Sequence, residues 1–185
     1  GRMNQDIGRA IVFSMPVVSA AVSLILISLD TTRSSNTVDR KIHYNMIAVY
    51  CLMILFWSGL VMHSIARDTF IAYLPVFFSS FAFIPVFLYR ITHIITDTGE
   101  RKLFPACHFI LPACLTLIIC AIALAVPLRQ RWAAIYDNEV NLTSAIIDIT
   151  FIVCILLCIL YSWLSLLRIK SYKRKIIDYS ADIYR

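Results

Sequence analysis

The sequence predicts an all-α integral membrane protein with five transmembrane helices, its start outside and its end in the cytoplasm. Three observations predict it. Of 185 residues, 60% are hydrophobic and 15% charged, with a mean hydropathy of +0.79, far from the roughly 25% charged composition of soluble domains. Five apolar runs each reach the roughly 20 residues that carry a helix across about 30 Å of hydrocarbon. The basic residues fall unequally on the two sets of loops that those runs define. Such a composition excludes an ordinary soluble domain.

The first run, Ala10 to Leu29, carries Pro16 and exceeds the roughly 7 to 15 apolar residues of a secretory signal, so it reads as a retained helix. Gly1 and Arg2, ahead of Met3, are expected to be an expression remnant with no part in the fold. Tyr44 to Ile65 and Phe70 to Tyr89 flank the short turn ARDT and form an antiparallel hairpin. Leu103 to Val126 and Leu142 to Leu167 complete the set. Each run is continuously apolar, as expected of helices surrounded by lipid and by one another. DTTRSSNTVDRKIH, RITHIITDTGERK and PLRQRWAAIYDNEVN are the longer loops, and no internal repeat is present. Ser19 with Ser23, Ser58 with Gly59, Ser79 with Ser80, and Ala121 with Ala125 mark where backbones come close. Pro16, Pro75, Pro85, Pro105 and Pro112 kink or start helices, and kinked helices often surround a cavity.

Orientation follows from charge. With five crossings, Arg2, Arg9, Arg67, Arg129 and Arg131 share one side, and the remaining 12 of the 17 basic residues lie on the other. The positive-inside rule then places the start outside and the end in the cytoplasm of a cell inner membrane. Residues 1–167 form the transmembrane domain and 168–185 a basic juxtamembrane linker. In that linker Arg168, Lys170, Lys173, Arg174 and Lys175 face anionic lipid, at about 1 kcal/mol per basic residue near the surface. Ile169, Tyr172, Ile176, Ile177 and Tyr179 lie on one stripe, against the membrane or against a second protomer in a homodimer.

Few polar residues fall within the spans. All six cysteines lie in the apolar runs without C-x-x-C spacing, and they read as small residues that let helices approach. His43, His93 and His108 share the cytoplasmic boundary. They would either meet water and headgroups, the reading favoured, or converge on a metal or a haem propionate. Asp148, about two turns into the last helix, is the costly group. Two readings are open for it: an ion pair with an arginine that fixes helix order, or a polar pocket opening outward and built from Asp148, His63, Arg67 and Arg9, with Asp68 nearby. No H-E-x-x-H, G-x-S-x-G or Gly-rich phosphate loop is present, so neither an enzyme nor a resident cofactor or metal is expected. The paired halves and Gly-broken helices of alternating-access transporters are missing as well.

The stretch YLPVFFSSFAFIPVFLYRITHIITDTGERKLFPACHFILPA resembles the membrane domains of bacterial AraC-type regulators, especially those of Bacteroidetes. In these, an apolar helix with an internal proline ends on an aromatic-Tyr pair, a short loop follows, and the next helix opens with His-Phe-x-x-Pro. The corresponding features here are Pro85, Phe87 and Tyr89, the TGERK loop, and His108, Phe109, Leu111 and Pro112. The tail YKRKIIDYSADIYR is similar to their juxtamembrane segment, so the resemblance spans Tyr73 to Ala113 and Tyr172 to Asp182. It implies a sensory or anchoring domain, with an unidentified small ligand and membrane lipids as partners. DNA would be reached only through a helix-turn-helix domain absent from this chain. The competing expectations are a stand-alone membrane scaffold or assembly subunit, and a cofactor-binding electron carrier.

Overall fold

A computed structural model describes residues 2–33, 36–97, 104–137 and 141–183, with side chains over 4–33, 36–97, 104–137 and 141–177. Helices α1 (Arg2–Arg33), α2 (Thr37–Ile65) and α3 (Arg67–Ile95) run up and down in sequence. A 3-10 turn (Ala106–Phe109) then leads into α4 (Ile110–Ala125), α5 (Leu128–Tyr136) and the long α6 (Leu142–Ile183). Five of these elements are long and apolar enough to cross a membrane. α1 begins and α6 emerges at opposite ends of the bundle, called here the N-terminal and C-terminal ends.

Local chemistry sets the boundaries. Asn36 caps α2 by accepting from the Val38 amide at 3.0 Å, and the single residue Ala66 separates α2 from α3. Val126 is extended because Pro127 disfavours helix at the residue before it, which ends α4. Asn141 and Ser144 close a reciprocal capping box at the start of α6, with bonds of 2.9 and 3.0 Å. The segment PLRQRWAAIYDNEVN, expected as a loop, instead contains α5. Pro127 precedes its first turn, and Arg131 and Ile135 stand four residues apart, facing α3 and the core. The other two loops shrink because α1 and α3 continue beyond the apolar runs to Arg33 and Ile95. Leu103, the expected start of the fourth run, lies outside the described residues.

Helix α3 is the hub. α1 packs on α2, α2 on α3, and α3 carries both α4 and α6 on its other side. Phe56, Phe77 and Phe81 stack between α2 and α3, with Phe56 to Phe77 at 5.1 Å. Gly59 permits this approach, since a Cβ there would lie 2.6 Å from Phe77 Cδ2. α6 meets α3 through Ile147, Thr150, Cys154, Leu157 and Tyr161, all buried, at the alternating three- and four-residue spacing of a helix-helix seam. Of the six cysteines, Cys154 fills the small core position expected, whereas Cys51, Cys107 and Cys114 are exposed.

Charged and polar residues bound four helices at matched spacing. Arg9 to Asp30, His43 to His63, Asp68 to Arg90 and Asp148 to Arg168 are 20 to 22 residues apart, about 30 to 33 Å at 1.5 Å per residue. That is one hydrocarbon thickness.

Candidate functional site

Four short-range contacts build the group at the N-terminal end. The first turn of α3 holds Arg67, whose guanidinium lies 3.9 Å from Asp6 of α1 and 5.1 Å over the Tyr136 ring of α5. His63, in the last turn of α2, packs edge-on against Phe70 at 5.0 Å and lies tilted against Tyr136 at 5.4 Å. Arg9 is within electrostatic range of His63. The Asp6–Arg67 pair is half-exposed, so it contributes at most about 1 kcal/mol. Burial pushes the Tyr136 phenol up to about 12, against the opposing pull of Arg67. Its hydroxyl has no partner among the described residues.

His63, Arg67 and Arg9 are thus brought together, joined by Asp6 and Tyr136, which the sequence did not single out for the site. Asp148 is not. It is exposed, with no hydrogen bond or ion pair among the described residues, so neither the ion pair nor its place in the pocket is formed among them. The reason is angular: position 148 follows the seam residue Ile147 by one step of about 100°, which turns it off the face that meets α3.

Beside this group, α5 lies over the start of α3. Arg131 is 6% exposed, and its guanidinium donates from Nε to the Val126 carbonyl at 3.1 Å and from a terminal nitrogen to the Ile71 carbonyl at 3.2 Å. Ile71 is four residues before Pro75, which has no N–H to return to that carbonyl. The arginine supplies the missing donor. A cavity of about 340 Å³, lined by Asp68, Ile71, Leu128, Arg129 and Trp132, opens alongside. It offers one carboxylate, one guanidinium and an aromatic wall to a small ligand. Asp68 was legible as a neighbour of the pocket, whereas Arg129 and Trp132 enter it through the unforeseen helix.

The same device recurs at the C-terminal end. Pro112 cannot donate to the His108 carbonyl, and the Tyr161 hydroxyl of α6 reaches that oxygen at 3.3 Å while lying 3.1 Å from His108 Nδ1. Tyr89 and Phe104 close on the same imidazole at 5.4 and 4.9 Å. His93 packs edge-on against Phe104 at 5.5 Å. Two of the three boundary histidines therefore share one aromatic cluster, while His43 stands 3.4 Å from Asp30 between α1 and α2. Among the described residues no three His, Cys, Asp or Glu side chains are grouped as metal ligands.

Arg168 departs from its expected lipid contact. Its Nε donates to Thr96 Oγ1 at 2.7 Å, tying α6 to the end of α3. Lys170, Lys173, Arg174 and Lys175 are exposed on the next two turns. Comparison with known proteins finds no matching family model, no matching curated protein and no matching solved structure.

Proposed function

We propose that this chain is the sensory or anchoring membrane domain of a membrane-bound transcription regulator of AraC type, set in a bacterial inner membrane with α1 starting outside. The observation that carries the reading is α6. It runs without Pro or Gly from Leu142 to Ile183, about 62 Å or twice the hydrocarbon thickness. One end packs on α5, whose Arg129 and Trp132 line the cavity of the N-terminal side, and the other leaves the bundle past Arg168. A small ligand in the cavity beside Arg129 and Trp132 would bias how α5 and α6 pack on α3, and a stiff helix passes such a shift on as rigid-body motion. The basic residues from Lys170 to Lys175 hold the emerging helix near anionic lipid. DNA is contacted by a domain outside these 185 residues.

Inserting Gly-Gly after Arg168 in a chain joined to its native downstream sequence tests this. Transcriptional response to the stimulus is expected to be lost while membrane insertion is retained, and an undiminished response would reduce the tail to an electrostatic anchor. A second reading, a membrane scaffold or assembly subunit, draws on α1. Its face bearing Ile11, Met15, Val18, Val22, Ile25 and Leu29 is exposed along the whole helix.

A further inference from the structure

The seam that joins α6 to α3 ends at Arg168, yet the helix continues for 15 more residues to Ile183. Its continuation is not polar all round. Ile169, Tyr172 and Ile176 are spaced three and four residues apart, and Tyr179 and Ile183 extend that spacing in sequence. Ile169 is 48% exposed and Ile176 50%. Lipid is a poor cover for this stripe. The headgroup layer is only about 5 to 8 Å deep on each side, whereas Ile176 stands eight residues, about 12 Å, past Arg168 on an unbroken helix that has no hinge to lay it on the surface.

We infer that the covering partner is the same segment of a second copy of this chain, paired in parallel as a two-stranded coiled coil. Copies inserted with one topology in one membrane present α6 in parallel, and a seven-residue apolar repeat closes a left-handed seam between two such helices. The same register continues backward into the membrane as Phe151, Ile155, Cys158, Ser162 and Ser165. Small residues there let two backbones approach. Ser162 is exposed and makes no hydrogen bond among the described residues, unlike Ser79, Ser80 and Thr150, which bond back to their own helices. From Phe151 to Ile183 the seam is about 48 Å long, and at a helix width of 10 to 12 Å it covers about 500 Å² per copy. The total of about 1,000 Å² meets the lower limit for a biological interface, below the about 1,200 to 2,000 Å² of stable soluble complexes.

The inference stands apart from the regulator reading. A dimer without transcriptional output sinks only that reading, and output from a chain that never pairs sinks only this one. The test is oxidation by copper phenanthroline of the full chain in the membranes of the expressing cell. Single cysteines are placed at Cys158 alone or by Ile155→Cys, Ser162→Cys, Tyr172→Cys or Ile176→Cys, with Ile159→Cys and Trp163→Cys, which are more exposed than Ile155 and Ile176, as controls. Seam positions are expected to form disulfide dimers at least tenfold faster than the controls. Ile176→Lys, at an exposed position that leaves the bundle intact, is expected to lower the Cys158 dimer about tenfold. Equal rates at all positions, a maximum at the controls, or no dimer of this chain at any position would each overturn the inference.

Discussion

Arg131 and Pro75 form a pair whose energetics can be separated by a double-mutant cycle. Arg131→Met keeps the length and apolar stem of the side chain but removes both donors, leaving the Ile71 and Val126 carbonyls without them. An unsatisfied buried carbonyl costs about 1 to 3 kcal/mol. The Ile71 oxygen is the deeper of the two, since its residue is 1% exposed, so the expected loss is about 2 to 4 kcal/mol, with Ile71 responsible for at least half. In a chain of this size that corresponds to roughly 4 to 16 °C in Tm. Pro75→Ala restores a backbone N–H four residues after Ile71, which satisfies the same carbonyl from within α3. Arg131→Met should therefore cost about 1 to 2 kcal/mol less in the Pro75→Ala background, a coupling well above the 0.3 to 0.5 kcal/mol scatter of independent sites. Thermal unfolding of the four proteins in one detergent measures it. Additive effects would refute the assignment of Arg131 as the donor that replaces the proline's missing N–H.

Three further outcomes are expected. Gly59→Ala drives a methyl to 2.6 Å from Phe77 Cδ2 and should cost about 1 to 3 kcal/mol, with most of the loss recovered in Gly59→Ala/Phe77→Leu by thermal melts. Asp148→Asn and Asp148→Leu should both leave detergent stability within about 0.5 kcal/mol of the parent, as at other unpartnered surface positions, and a larger drop would mean that the carboxylate has a partner. In a cysteine-free background, Asp137→Cys should be labelled by an impermeant maleimide from outside intact cells and Asp39→Cys should not, and the reverse pattern would invert the orientation.

Which features were legible in the sequence depends on the range of the interactions that set them. The five spans rest on summed hydrophobicity, which every residue contributes to, so they could be read without partners. α5 could not. Its nine residues are too short for a span and carry two arginines, and it holds because Arg131 finds a carbonyl 60 residues away. The site was legible where chain neighbours fix it, as with His63 and Arg67 across the single-residue turn at Ala66. It was misread at Asp148, where the rotation of one helix about its axis decides whether a carboxylate faces the core or leaves it. Prolines were noted as kinks, but their consequence, two carbonyls needing donors from α5 and α6, appears only once those helices are placed.

The matched spacing of the boundary residues has a mechanical consequence. With four helices cut to about 30 to 33 Å between polar ends, a thinner bilayer leaves every one of them too long at once, and tilting relieves the mismatch at a fraction of a kcal/mol per Å. Because Arg168 binds Thr96, α6 cannot tilt independently of α3, so the bundle leans as a unit. The 15 residues past Arg168 reach about 22 Å further, and a lean of about 10° swings their tip by about 4 Å. Membrane thickness alone would then move whatever the tail carries, with no soluble ligand required.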